Sequence, residues 1–243
     1  MTAADQIVLS EKSACHEAVH IWAHATDDRS WKGPAPPAVA YVFSSGRGKK
    51  EVAEQLADFE GVLQVDGYAA YTSLAGDKKN AGKIRLAFCL VHARRNFVDV
   101  LKTTNSPFAR EVIERIAAVY AIEKRIRGVD ADQRRAVRQA ETKPLMEALK
   151  ARLEATKDSI SRQSSLVGAI NYALERWSGL TLFLEDGRLE PDTNTVERSI
   201  RPISIGKKVS AQAAAMSNMR EALRQERDGL LRGLRWSGGE QSR

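Results

Sequence analysis

Hydrophobic positions along this chain fall into two regimes. Before about residue 105, short apolar runs alternate with turn-formers. Ala38–Phe43 (AVAYVF) is a β-prone run after the loop Gly33-Pro34-Ala35-Pro36-Pro37, and the text from Ile21 before that loop reads as a partner strand. Val52, Leu56 and Phe59 recur at helical spacing, predicting an amphipathic helix over 50–59. Gly61–Val65 (GVLQV) and Ile84–Val91 read as further strands, the second followed by a helix start that carries His92, Arg94 and Arg95. From Ser106 to Gly179 the strand signals vanish. Phe108, Val112, Ile116 and Tyr120 step by fours; Leu145, Leu149 and Leu153 make a second stripe; Leu166, Ile170, Leu174 and Trp177 make a third. Three such helices most simply pack as an insertion between sheet elements. The pattern predicts an α/β protein with an all-helical insertion.

Chemistry concentrates in Glu185–Lys208, which reads EDGRLEPDTNTVERSIRPISIGKK. Asp186-Gly187 is a turn signal, and Asp192, Thr193 and Asn194 are all good N-cap residues, so a helix is expected near Asn194. Pro202 limits that helix to about two turns. Glu197 falls on its first turn, with Arg198 and Arg201 sharing a face. Two roles are open to Glu197: a capping-box carboxylate reaching back to the Asn194 amide, or a metal ligand beside a phosphodiester. Asp66, where the strand GVLQV meets Gly67, is either a turn aspartate or a site carboxylate at a strand C-terminal end. His92, Arg94 and Arg95 read equally as phosphate contacts or as a solvated helix end. Arg134, Arg135 and Arg138 form a basic face, solvated or tracking a DNA backbone.

Composition narrows the class. The chain has 243 residues, 43% hydrophobic and 28% charged, with a net charge of +7. That balance suits a soluble globular protein with a polyanionic partner but does not demand one. Its two cysteines, Cys15 and Cys89, have no paired spacing, so neither a disulfide scaffold nor a Cys-based zinc module is expected. With neither a signal peptide nor a long apolar run, a cytoplasmic protein without membrane contact is expected. His16-Glu17-Ala18-Val19-His20 matches the zinc-peptidase pattern H-E-x-x-H, but no third ligand stands at a recognised spacing. A zinc metallopeptidase is kept as a lesser alternative.

The run DGRLEPDTNTVERSIRPISIGKK resembles the signature of the insertion sequence 66 family of transposases, and LQVDGYAAY and IRLAFCLVHARRNF resemble two further family segments. The resemblance covers roughly residues 20–208. It implies a ribonuclease H-like mixed sheet with flanking helices, carrying an Asp-Asp-Glu triad that cleaves and transfers DNA strands. Asp66 and Glu197 match its second and third members. The first is expected at Asp5, in the context Ala4-Asp5-Gln6-Ile7 upstream of Trp22. Asp5, Asp66 and Glu197 would hold Mg²⁺ or Mn²⁺, because hard ions prefer carboxylate oxygens. Two such ions clamp the attacking and leaving oxygens of an in-line displacement. His92, Arg94, Arg95, Arg198, Arg201, Lys207 and Lys208 are the expected DNA contacts, and a homo-oligomer would pair the ends of the element. The domain reading is 1–105 and 180–208 as catalytic core, 106–179 as helical insertion and 209–243 as an atypical basic tail. On this resemblance the chain is expected to lack the family's N-terminal extensions and to depart from its ending after Lys208. The second reading is therefore a non-catalytic DNA-binding remnant.

Overall fold

In a computed structural model of the chain, residues 2–9 and 19–206 are described, with side chains over 20–201. The chain divides into two compact units, Met1–Ile200 and Arg201–Arg243. Of the second, only the helical end Arg201–Gly206 is described.

The first unit opens with strands β1 (Thr2–Leu9), β2 (Val19–Thr26) and β3 (Ala38–Ser44). Helix α1 (Lys49–Gln55) leads to β4 (Gly61–Val65), α2 (Ala69–Ala75) and β5 (Ile84–Phe88). The five strands form one sheet in the order β3-β2-β1-β4-β5. β2 runs antiparallel to β1 and to β3, while β4 is parallel to both β1 and β5. A parallel pair needs a crossover, and α2 supplies it between β4 and β5. Leu63, Gln64 and Val65 are all buried, so β4 is covered on both faces and reads as a continuous apolar run rather than an alternating one.

The pleat of β2 distributes its side chains to two layers. Trp22 packs with Val52, Leu56, Leu63, Tyr71 and Leu74, joining α1 and α2 to one face. Ala23 and Ala25 point the other way and meet Val196 and Ile200 of helix α9, introduced below. Their small size lets a helix approach the sheet closely.

The remainder is helical. α3 (Leu90–Thr104) and α4 (Pro107–Arg125) are followed by α5 (Ala131–Val137), which passes through a π-turn at Arg138–Thr142 into α6 (Lys143–Ser159). Then come α7 (Ser165–Glu175), the single turn α8 (Trp177–Leu180) and α9 (Asn194–Gly206). The three apolar stripes fall on α4, α6 and α7, where Val112, Ile116, Leu149, Leu153, Leu166 and Ile170 share one buried core with Leu90, Ala93 and Phe97 of α3.

Three expectations are corrected. The strand Ile84–Val91 stops at Phe88, because Cys89 already serves as the N-cap of α3. The last helix does not end before Pro202 but continues to Gly206. Its buried Val196 and Ile200 offset the backbone hydrogen bond that an interior proline removes. Arg134 and Arg138 are not on a basic surface: they are 1% and 0% exposed, and only Arg135 of the three is exposed. Glu123 and Glu190 stand opposite them at ion-pair distance, which makes their burial possible.

Candidate active site

Asp66 immediately follows β4. Its Oδ1 accepts from the Tyr68 amide at 2.9 Å, and its carbonyl accepts from the Tyr172 hydroxyl at 2.9 Å. Gly67 has φ +102°, and a Cβ there would lie 2.6 Å from the Tyr172 oxygen. Both constraints require glycine. The turn thus fixes Asp66 at a strand C-terminal end and ties it to α7. Of the alternatives left open for Asp66, the turn role is the one the hydrogen bonds show: its carboxylate closes the turn at Gly67.

Glu197 is held differently from a capping-box residue. The Thr193 carbonyl accepts the first intrahelical bond, from the Glu197 amide at 3.1 Å, so Thr193 and not Asn194 is the N-cap. Glu197 is therefore one residue too far along to serve the capping box. Instead Thr193 Oγ1 donates to Glu197 Oε1 at 3.2 Å, and Asp192 Oδ1 accepts from the Asn194 amide at 3.0 Å. The carboxylate turns toward α3, where His92 Nδ1 is 3.8 Å from its Oε1.

His92 lies in the first turn of α3, three residues after the N-cap Cys89. Burial lowers its pKa; the Glu197 carboxylate opposes this, Arg95 adds to it, and the Asp66 carboxylate opposes it again. Charges from β4, α3 and α9 thus bear on one imidazole. The Cys89 thiol is buried, and that burial raises its pKa. The donor atoms of Cys89, His92 and Glu197 all lie within 4.8 Å of one another.

The other expected residues are placed as follows. Asp5 is on β1, at the register irregularity between Ala4 and Ile7. Thr2 of β1 pairs with Gln64 of β4. β1 is thus the sheet neighbour of β4, the strand that Asp66 follows. Arg94 is half-buried and Arg95 exposed on α3. Arg198 is exposed, its Nε donating to the Asn194 carbonyl at 3.1 Å, and Arg201 is exposed on the same helix. Lys207 and Lys208 lie outside the described residues, as do His16 and Glu17. His20 is buried on β2 and not on a helix, so it lacks the support that an H-E-x-x-H zinc site requires. The sequence does not single out Cys89 and Tyr172 for the site, and it marks Thr193 only as an N-cap candidate. A cysteine three residues before a histidine was a legible signal for the first, whereas Tyr172 lies off the apolar stripe of its helix and carries no local signal.

Comparison with known proteins gives the family of the chain. The family model "Transposase IS66 family" matches residues 6–221, extending beyond the 20–208 stretch at both ends. An uncharacterized protein of Sinorhizobium fredii, y4jD, is 54% identical over 192 residues, covering 78% of this chain and 38% of that protein. Two others from the same organism, y4qI and y4hP, are 42% and 36% identical, covering 80% and 77% of this chain and 37% and 36% of their own lengths. The chain thus spans less than two fifths of each of these relatives. No solved structure matches it. By the extent of the family match, the chain belongs to the IS66 family of transposases.

Proposed function

We propose that this chain is the strand-cleaving and strand-transferring core of a DNA transposase, with Asp5, Asp66 and Glu197 as its acidic triad. The observation that carries this reading is that Glu197 stands 3.8 Å from His92 Nδ1 while Asp66, remote from it in sequence, is near enough for its charge to act on the same imidazole. The mixed sheet with β1 and β4 as inner neighbours and an all-helical stretch before α9 supports a ribonuclease H-like assignment.

The donor set fits a hard divalent ion: the carboxylates of Asp66 and Glu197 are acceptor-only oxygens, suited to Mg²⁺ or Mn²⁺. When bound, such an ion activates a water or 3′-hydroxyl and stabilises the leaving oxygen. The chain's own part is positioning. The Asx turn and the Tyr172 hydrogen bond hold Asp66, and the Thr193 hydroxyl orients Glu197. Burial favours the neutral form of His92, leaving it able to hydrogen-bond a phosphate oxygen or a sugar hydroxyl. Arg94, Arg95, Arg198, Arg201, Lys207 and Lys208 are the proposed backbone contacts, steering DNA ends to the site, and a homo-oligomer pairs two ends.

The test is Mg²⁺-dependent nicking of DNA carrying the element's terminal repeats, with Glu197→Gln as control. Nicking by the wild type alone supports the triad. Folded protein that binds the DNA but never nicks it would establish the non-catalytic reading instead.

A further inference from the structure

Beside the carboxylates, three donors of different chemistry meet: a thiol, an imidazole and a carboxylate, at Cys89, His92 and Glu197. His92 Nδ1 is buried with no hydrogen-bond partner, and its 3.8 Å separation from Glu197 Oε1 is too long for one. The cluster is also built into the backbone. Cys89 caps α3 and His92 completes its first turn, so both side chains belong to the same helix end, while Glu197 comes from the first turn of α9. Thr193, 0% exposed, donates to Glu197 Oε1 and lies against the Cys89 thiol, holding two of the three groups from behind.

We infer that Cys89, His92 and Glu197 form a binding site for a borderline-soft divalent ion, Zn²⁺, with the fourth position left to water or a nucleic-acid oxygen. Thiolate and imidazole ligands select Zn²⁺ over Mg²⁺. The spacing agrees: two oxygen or nitrogen ligands about 2.1 Å from a tetrahedral Zn²⁺ stand about 3.4 Å apart. A shift of a few tenths of an ångström therefore closes His92 and Glu197 on the ion and satisfies the bare nitrogen. Three protein ligands with one position open is the pattern of zinc sites that exchange a ligand, not of sealed structural ones. Because Glu197 is shared, an ion here withdraws that carboxylate from Asp66. This consequence rests on the triad reading; the binding itself does not.

The experiment uses the full chain, stripped of metal and titrated with Co²⁺ as a spectroscopic stand-in for Zn²⁺. One equivalent is expected to produce a thiolate-to-cobalt charge-transfer band that Zn²⁺ abolishes and excess Mg²⁺ leaves unchanged. Cys89→Ser should lose the band and Cys15→Ser should keep it, which separates the chain's two cysteines. His92→Gln should weaken Co²⁺ binding by at least about 10-fold. X-ray absorption of the Zn²⁺-loaded wild type, which needs no variant, should show one sulfur at about 2.3 Å. A shell without sulfur, or a band that survives Cys89→Ser, overturns the proposal. Neither outcome depends on nicking, so failure here and failure of the triad are read from different experiments.

Discussion

Among the described residues, Arg138 is the most heavily bonded cation. Its Nε and Nη2 donate to the two carboxylate oxygens of Glu123 at 2.8 and 2.7 Å, and its Nη1 donates to the carbonyls of Phe183 and Asp186 at 2.8 and 3.1 Å. Beside it, Arg134 reaches Glu190 at 2.6 Å. The pair ties the helical stretch to the strap leading into α9. Arg138→Met is expected to destabilise the fold by about 3–5 kcal/mol in urea unfolding, because Glu123 is left buried without its main partner. His24 gives a pH test. Burial lowers its pKa below the ordinary 6.5, with a Gln55 hydrogen bond opposing. The unfolded chain therefore takes up the proton first as pH falls through 6.5, and stability drops from there toward the lower folded value. Replacing it with His24→Gln should flatten the change in unfolding midpoint between about pH 7.5 and about pH 5.5. At the site itself, Asp66→Asn and Glu197→Gln are each expected to abolish nicking while DNA affinity stays near that of the wild type. Wild-type nicking by either variant would remove that residue from the triad.

At the scale of elements, the site depends on contacts between segments. Tyr172 of α7 holds the Asp66 carbonyl and is itself covered by the Arg176 guanidinium, 4.2 Å from its ring centre. Tyr172→Phe keeps the packing and removes one hydrogen bond, costing about 0.5–1.5 kcal/mol of stability. If that bond positions Asp66, nicking should fall by more than DNA binding does; equal losses would show that it serves stability alone. α8 is tied to β5 in a similar way. A Cβ on Gly179 would stand 2.5 Å from Phe88 Cδ2 and 2.7 Å from the Leu86 carbonyl, so only glycine lets this turn lie against the strand.

At the scale of the whole molecule, the net charge of +7 sets the terms for a polyanion. DNA binding should weaken linearly in log K against log salt, with a slope near −0.9 for each phosphate neutralised. Replacing Arg95 or Arg198 by alanine should reduce that slope by about 1 each if they contact phosphates. An unchanged slope would assign them to a solvated surface. Arg134 and Arg138, being enclosed, are not expected to alter the slope in any variant that folds. Among the described residues, no helix is long and apolar enough to cross a membrane.

Local pattern was enough for the strands around the Pro-rich loop, for GVLQV, for the three helical stripes and for the helix start near Asn194, because each is written in neighbouring residues at period 2 or 3.6. Motif resemblance proposed Asp66 and Glu197 as a set. What sequence could not decide was which residues face each other. Arg134 and Arg138 looked like surface cations because their partners, Glu123 and Glu190, lie on other segments. Whether Glu197 capped its own helix or faced α3 turned on one residue of register, settled when Thr193 became the N-cap. The meeting of Cys89, His92 and Glu197 exists only because α9 packs on β2 through Val196 and Ile200. Local chemistry writes elements into the sequence, but juxtaposition belongs to the packed core, where distant side chains select one another by shape and charge.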